Sequence, residues 1–205
     1  RREYEGRHRP KVGRFPLPSA PYEGVMIDHT VSDVISVDEG SRRSVRRAHI
    51  TLVIDLRTRL VIGWYVSYDP PSYVAAMTAL TVAMLPKKEL LASHGLPDLL
   101  PCHGLIGTVH SDNAKEFRGE MMRRAVESRG TVLTLRPAKQ PHYGGHIESL
   151  MHTRARYEAT EPGATFSNPR ERDGYASEDE ATLTLKEYEA NLLDFLLGEY
   201  NHRTH

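Results

Sequence analysis

His49-Ile50-Thr51-Leu52-Val53-Ile54-Asp55, the link Arg57-Thr58-Arg59, and Leu60-Val61-Ile62-Gly63-Trp64-Tyr65-Val66-Ser67-Tyr68 decide the fold. Both long runs are rich in β-branched and aromatic residues, and the polar link can turn the chain back on itself. Toward the N-terminus, Gly24-Val25-Met26-Ile27-Asp28 is another apolar run that Val34-Ile35-Ser36-Val37 continues, with Arg42 to Arg47 read as a hairpin or loop. Three successive strands with short links predict an antiparallel meander. Toward the C-terminus the period changes. Ser72 is placed to cap a helix whose apolar stripe is Val74, Met77, Leu80 and Met84, and Pro86 ends it.

Beyond residues 87–104, read as a loop with a short helix, Ile106 to His110 is a fourth strand. Asn113 and Glu116 have capping-box-like spacing for a helix that Gly130 stops. Thr131 to Leu135 is a fifth strand, and Gly144-Gly145 precedes a helix reaching about Thr160. Thr184-Leu185-Lys186-Glu187 is a capping box ahead of Leu192, Leu193, Leu196 and Leu197. The order βββαβαβα with an extra C-terminal helix predicts an α/β protein. Its mixed five-stranded sheet is flanked by helices on both faces, the order of an RNase H-like fold. Residues 1–24, with Pro10, Pro16, Pro18 and Pro21, read as an extended arm, and 25–205 as one catalytic-size core. Within that core 160–183 is an acidic connector and 184–203 the C-terminal helix.

A length of 205 residues suits one domain with a real core, and 39% hydrophobic with 26% charged residues is ordinary for a globular chain. No apolar run is long enough to span a membrane. The single Cys102 excludes an intramolecular disulfide and a Cys-rich zinc module, which fits a reducing, cytoplasmic setting. The chain opens Arg1-Arg2-Glu3-Tyr4 without Met and reads as a piece of a longer protein. Net charge is zero, against the basic balance of many nucleic-acid binders. The basic residues nevertheless cluster, as Arg42, Arg43, Arg46, Arg47, Arg57 and Arg59 show, so one face can be positive.

Three acids stand out by their surroundings. Asp28 lies in an apolar strand, Asp112 just past the fourth strand, and Glu148 in the first turns of a helix. A carboxylate at a buried strand is costly unless compensated, and a divalent cation held by a few carboxylates compensates it. Taken singly, Asp112 reads as a residue near a helix cap and Glu148 as a solvated helix acid; only together do they outweigh those readings. Asp55 is the strongest competitor and reads as a strand-end acid paired with Arg57 or Arg59.

Asp112-Asn113-x-Lys115-Glu116-Phe117, Arg136-Pro137 and Pro141-His142-x-Gly144-Gly145-His146-Ile147-Glu148 resemble the TniA/TnsB-type DDE transposases. So do Pro162-Gly163-Ala164-Thr165-Phe166-Ser167-Asn168 and Tyr200-Asn201-His202. That group is related to Mu transposase and the retroviral integrases, and the spacing from Asp112 to Glu148 is typical of it. The resemblance implies a catalytic core for DNA transposition, with 3′-end cleavage and strand transfer into target DNA. Asp28, Asp112 and Glu148 would be both catalytic residues and ligands of Mg²⁺ or Mn²⁺, two ions per site when DNA is bound. It also implies self-assembly on DNA, an AAA+ ATPase partner of the TnsC/TniB type, no membrane, and a bacterial, nucleoid-associated location. A structure-selective RNase H-like nuclease and a catalytically silent DNA-bound assembly module are the alternatives.

Arg136, Lys139, His142, Gly144, Gly145, His152 and Arg156 are candidate DNA contacts. For Arg136 and Lys139 the competing account is surface solubility, for Gly144-Gly145 a hinge, and for His152 and Arg156 a solvated helix face. His29, His110 and His146 adjoin the acids and read as supporting or DNA-facing groups, because Mg²⁺ prefers oxygen. Met77, Met84 and Met121 read as core, and Cys102 as a bystander.

Overall fold

A computed structural model describes residues 17–112, 119–135, 145–166 and 174–204. The strands are β1 (Gly24–Val37), β2 (Ser44–Asp55), β3 (Val61–Ser67), β4 (Thr108–Ser111) and β5 (Val132–Leu135). The helices are α1 (Tyr73–Met84), α2 (Lys88–Ser93), α3 (Glu120–Glu127), α4 (Gly145–Glu158) and α5 (Leu185–Leu193). After α5 the helix widens into a π turn over Asp194–Glu199 and tightens into a 3₁₀ turn over Tyr200–His202.

The five strands form one mixed sheet in the order β3-β2-β1-β4-β5. β1, β2 and β3 pair antiparallel, as a meander must. β4 runs parallel to β1, and β5 parallel to β4. The two faces hold separate apolar layers. Met26, Ile50, Leu52, Ile54 and Trp64 pack with Ile147 and Leu150 of α4 and with Tyr188, Leu192 and Leu193 of α5. Val25, Ile27, Val53 and Ile62 pack on the other face with Ala76, Ala79 and Ala83 of α1 and Met122 and Val126 of α3. The fully buried core strands alternate between these layers, which is why they read as continuous apolar runs.

Several local signals act as expected. Ser72 Oγ accepts from Ala75 N at 3.2 Å. Thr184 and Glu187 close both halves of their capping box, at 3.2 Å and 2.8 Å. Gly130 has a φ of 76° just after α3, a conformation that glycine takes without a Cβ penalty.

Other expectations are corrected. Arg43 lies before β2, but Ser44 to Arg47 belong to β2, paired to β1 through Arg46 and Arg47. Arg46 and Arg47 are polar because they are exposed, and the hairpin turn itself spans Asp38 to Arg43. The stripe expected on α1 is only partly buried: Val74 is exposed, and the buried face is Ala75, Ala76, Ala79, Leu80 and Ala83. The reason is close approach. A Cβ on Gly63 of β3 would lie 2.3 Å from the Ala79 carbonyl and 2.8 Å from Ala83 Cβ, so only small residues fit there. Met121 is exposed, while Met77 and Met84 are half-buried. Asn113 and Glu116 lie outside the described residues, and the helix seen there begins with Gly119 as its cap residue.

Asp55 is fully buried and serves as a turn acid. It accepts from Arg57 N, Thr58 N and Thr58 Oγ1, and from Tyr22 N at 2.7 Å. Backbone N–H groups and the Thr58 hydroxyl, rather than the Arg57 or Arg59 side chains, are the partners seen here. Lys87 is buried too. Its ammonium donates to the carbonyls of Ala83, Leu85 and Cys102, closing the end of α1, and burial lowers its pKa.

The connector is less solvated than its composition implies. Ile35 N donates to Gly163 O and Val37 N to Leu183 O, so the segment borders β1 beyond the short β4. An open strand edge is thereby covered. Ser177 is buried against Ala164 O at 2.7 Å, while Glu178, Asp179 and Glu180 are exposed.

Candidate active site

Asp28 is half-buried in the middle of β1, opposite Leu52 of β2. Its Oδ1 accepts from His29 N at 2.8 Å. On the other side of β1, Gly24, Val25 and Met26 pair in parallel with Thr108, Val109 and His110. The same register carried two residues further sets Asp112, the first residue after β4, level with Asp28. Side chains alternate along a strand and register partners in a parallel pair share a face. Met26 lies in the layer under α4, so Asp28, His110 and Asp112 belong to that face.

The helix that carries Glu148 lies over this face. α4 packs along β1 with Ile147, Leu150, Arg154 and Glu158 buried. Arg154 Nη2 donates to Val31 O at 3.5 Å, and Glu158 Oε2 accepts from Asp33 N at 2.7 Å. Two residues of strand, about 6.6 Å, thus keep pace with four residues of helix, about 6 Å.

The side on which Glu148 leaves the helix follows from its neighbours. Successive helix residues are about 100° apart, so His146 and Glu148 flank the buried Ile147 on opposite sides. His146 Nδ1 meets Arg59 Nη1 in the β2–β3 turn. Glu148 is exposed, on the opposite side of Ile147 from His146. The elements therefore converge at one end of one sheet face. Among the described residues, however, no three His, Cys, Asp or Glu side chains form a group that could hold a metal ion.

The TnsB C-terminal domain family matches residues 26–163, from β1 through the turn after α4. The chain belongs to that family. Its relatives include the Tn7 transposition protein TnsB of Escherichia coli, 29% identical over 90% of this chain and 27% of that protein. The Tn552 transposase of Staphylococcus aureus is 23% identical over 91% of the chain and 35% of that protein. This TnsB-family chain thus spans about a third or less of the length of these curated relatives. A chain of the simian T-cell lymphotropic virus intasome, solved in complex with PP2A regulatory subunit B56 gamma, shares its fold. The TM-score is 0.51 at 11% identity, covering 97% of this chain and 61% of that one.

The remaining candidates of the TnsB-family chain divide by position. Arg136, Lys139, His142 and Gly144 lie outside the described residues. Gly145 opens α4, and a Cβ added there would meet nothing within 4 Å, so local packing does not require glycine. His152 and Arg156 are exposed on the shoulder and back of α4, one and two turns after Glu148. His29 Nδ1 lies 2.7 Å from Thr51 Oγ1, across the β1–β2 pair.

Two features escaped sequence reading. Arg59 takes a left-handed φ of 68°, and burial lowers its guanidinium pKa with Tyr200 opposing. Nothing in the local sequence links it to His146. Arg154 and Glu158 are buried charges on a helix read as partly solvated. Their spacing of four residues was the available signal, but it is equally common on exposed faces.

Proposed function

We propose that this chain is the catalytic core of a TnsB-type transposase, with an RNase H-like fold and a DDE active site of Asp28, Asp112 and Glu148. The β1–β4 register, which carried on from Met26 and His110 runs Asp28 and Asp112 toward one level of the face that α4 covers with Ile147 and Leu150, carries this reading. Membership of the TnsB family supports it. The substrate class is duplex DNA: transposon ends are nicked by water, and each freed 3′-hydroxyl then attacks a target phosphodiester and expels its 3′ oxygen. No covalent bond to the protein is required.

The three candidate ligands offer only carboxylate oxygens, the donors that Mg²⁺ and Mn²⁺ prefer. Asp28, Asp112 and Glu148 would hold the cations. When bound, such ions neutralise phosphate charge and act as Lewis acids. The chain's own part is positional. In this reading β1 and β4 would set two carboxylates side by side, and α4 would present the third. His152 and Arg156, on the exposed side of α4, are placed to meet DNA beyond the site. Arg136, Lys139, His142, Gly144 and Gly145 complete the proposed DNA contacts. Assembly on DNA, an AAA+ ATPase partner and a bacterial nucleoid location belong to the same reading.

A strand-transfer assay on the full-length protein with pre-cleaved transposon-end duplexes tests it. Joined product in Mg²⁺, lost in Asp112→Asn, is expected. Cleavage without joining would favour a nuclease. Neither product from a well-assembled protein–DNA complex would favour a silent assembly module.

A further inference from the structure

Arg154 and Glu158 are buried to 2% and 0% exposure at the centre of the α4–β1–α5 contact. Glu158 is met by groups from three elements. Arg154 pairs with it from one turn earlier, Tyr188 Oη of α5 donates to it, and Asp33 N of β1 donates at 2.7 Å. Arg154 in turn donates to Val31 O at 3.5 Å. Its Nε is buried without a hydrogen-bond partner, so the network is not arranged for maximal satisfaction.

Buried ion pairs are weak devices for stability, because desolvation offsets their attraction; their best-attested use is to specify register. Register is what this contact needs. The fully buried remainder of the α4 stripe is Ile147 and Leu150, with Met151 and Tyr157 half-buried beside them, and apolar side chains tolerate sliding along an apolar sheet. A slide by one turn would leave Glu158 without Tyr188 and Asp33 N.

We infer that the Arg154–Glu158–Tyr188 network is a positioning device that fixes where α4 sits along β1, and so fixes Glu148 relative to Asp28 and Asp112. None of the three touches the reacting atoms. This inference rests on the active-site reading above.

The test uses the full-length protein bound to transposon-end duplex. Arg154→Met/Glu158→Leu replaces the pair by apolar groups of similar size, an exchange that often preserves or raises stability. A spin-label distance between Val45→Cys and Ser149→Cys, in a Cys102→Ser background, reads the position of α4. Mn²⁺ affinity is read separately by the resonance of free Mn²⁺ in unlabelled protein. The double variant is expected to stay folded, to broaden the distance distribution by about one helical turn, and to bind Mn²⁺ about tenfold or more weakly. A folded double variant with the parent's narrow distance and parent Mn²⁺ affinity overturns the inference. If the double variant does not fold, Tyr188→Phe carries the test, since it removes only one donor to Glu158. A several-fold loss of Mn²⁺ affinity supports the device, and an unchanged affinity and distance overturn it. Glu148→Gln separates the two claims. Parent-like Mn²⁺ binding in that variant overturns the active-site reading, while the distance measurement still decides whether the network sets register.

Discussion

Asp112 emerges from β4 level with Asp28 of β1, and the parallel register of Met26 with His110 puts both acids on the face beneath α4. Both acids are half-buried rather than fully enclosed. Asp28→Asn and Asp112→Asn are therefore expected to keep the melting temperature within a few degrees of the parent. Cleavage and joining should each fall by about 10²–10³ or more, the scale of removing one electrostatic element of a reaction centre. Near-parent strand transfer by either variant in Mg²⁺ would remove that residue from the site.

Gly63→Ala tests the close contact between β3 and α1. A Cβ 2.3 Å from a backbone carbonyl cannot be relieved by rotating a side chain, so α1 must move outward. A loss of about 1–3 kcal/mol is expected in urea unfolding. An unchanged midpoint would mean that α1 does not sit so close.

Lys87→Met removes the donor shared by three carbonyls at the end of α1 while keeping the length of the chain stem. Buried acceptors left without partners cost roughly 1–3 kcal/mol. Denaturant unfolding should show that loss, and Lys87→Arg should recover part of it only if the wider head group fits.

Thr184→Ala opens the capping box of α5 and is expected to cost about 1 kcal/mol. Hydrogen exchange should rise first at the Glu187 amide, which donates to Thr184 Oγ1.

Glu189 gives the pH test. Burial pushes its carboxyl pKa up, while His94, 3.2 Å away, and Trp64 pull it back. The folded state thus binds a proton more readily than the unfolded chain. Stability carried by that difference is fully present below the unfolded glutamate value, about 4.3, and is lost as pH rises through the raised folded value. Glu158, also raised by burial, has the same sign. Glu189→Gln should flatten the decline, gaining on the parent as pH rises through that window. Urea midpoints measured across the window check it, and parallel curves for parent and variant would contradict it.

The local code of the chain is legible without coordinates. Strand runs, the caps at Ser72 and Thr184 and the stop at Gly130 depend on residues a few positions apart, and propensity and hydrogen bonding act at that range. The three acids were also legible, as acids in unusual company. What could not be read was which side of an element meets which neighbour. The alanine face of α1 follows from a glycine on β3, the tie of Asp55 to Tyr22 N from their meeting in the fold, and the strand state of Ser44 to Arg47 from pairing with β1. The same holds at the site. Sequence places Glu148 near the start of a helix, but the contact of His146 with Arg59 and the burial of Arg154 and Glu158 decide how that helix lies on the sheet. Those contacts join residues far apart along the chain, and their energy exists only once the sheet has brought them together.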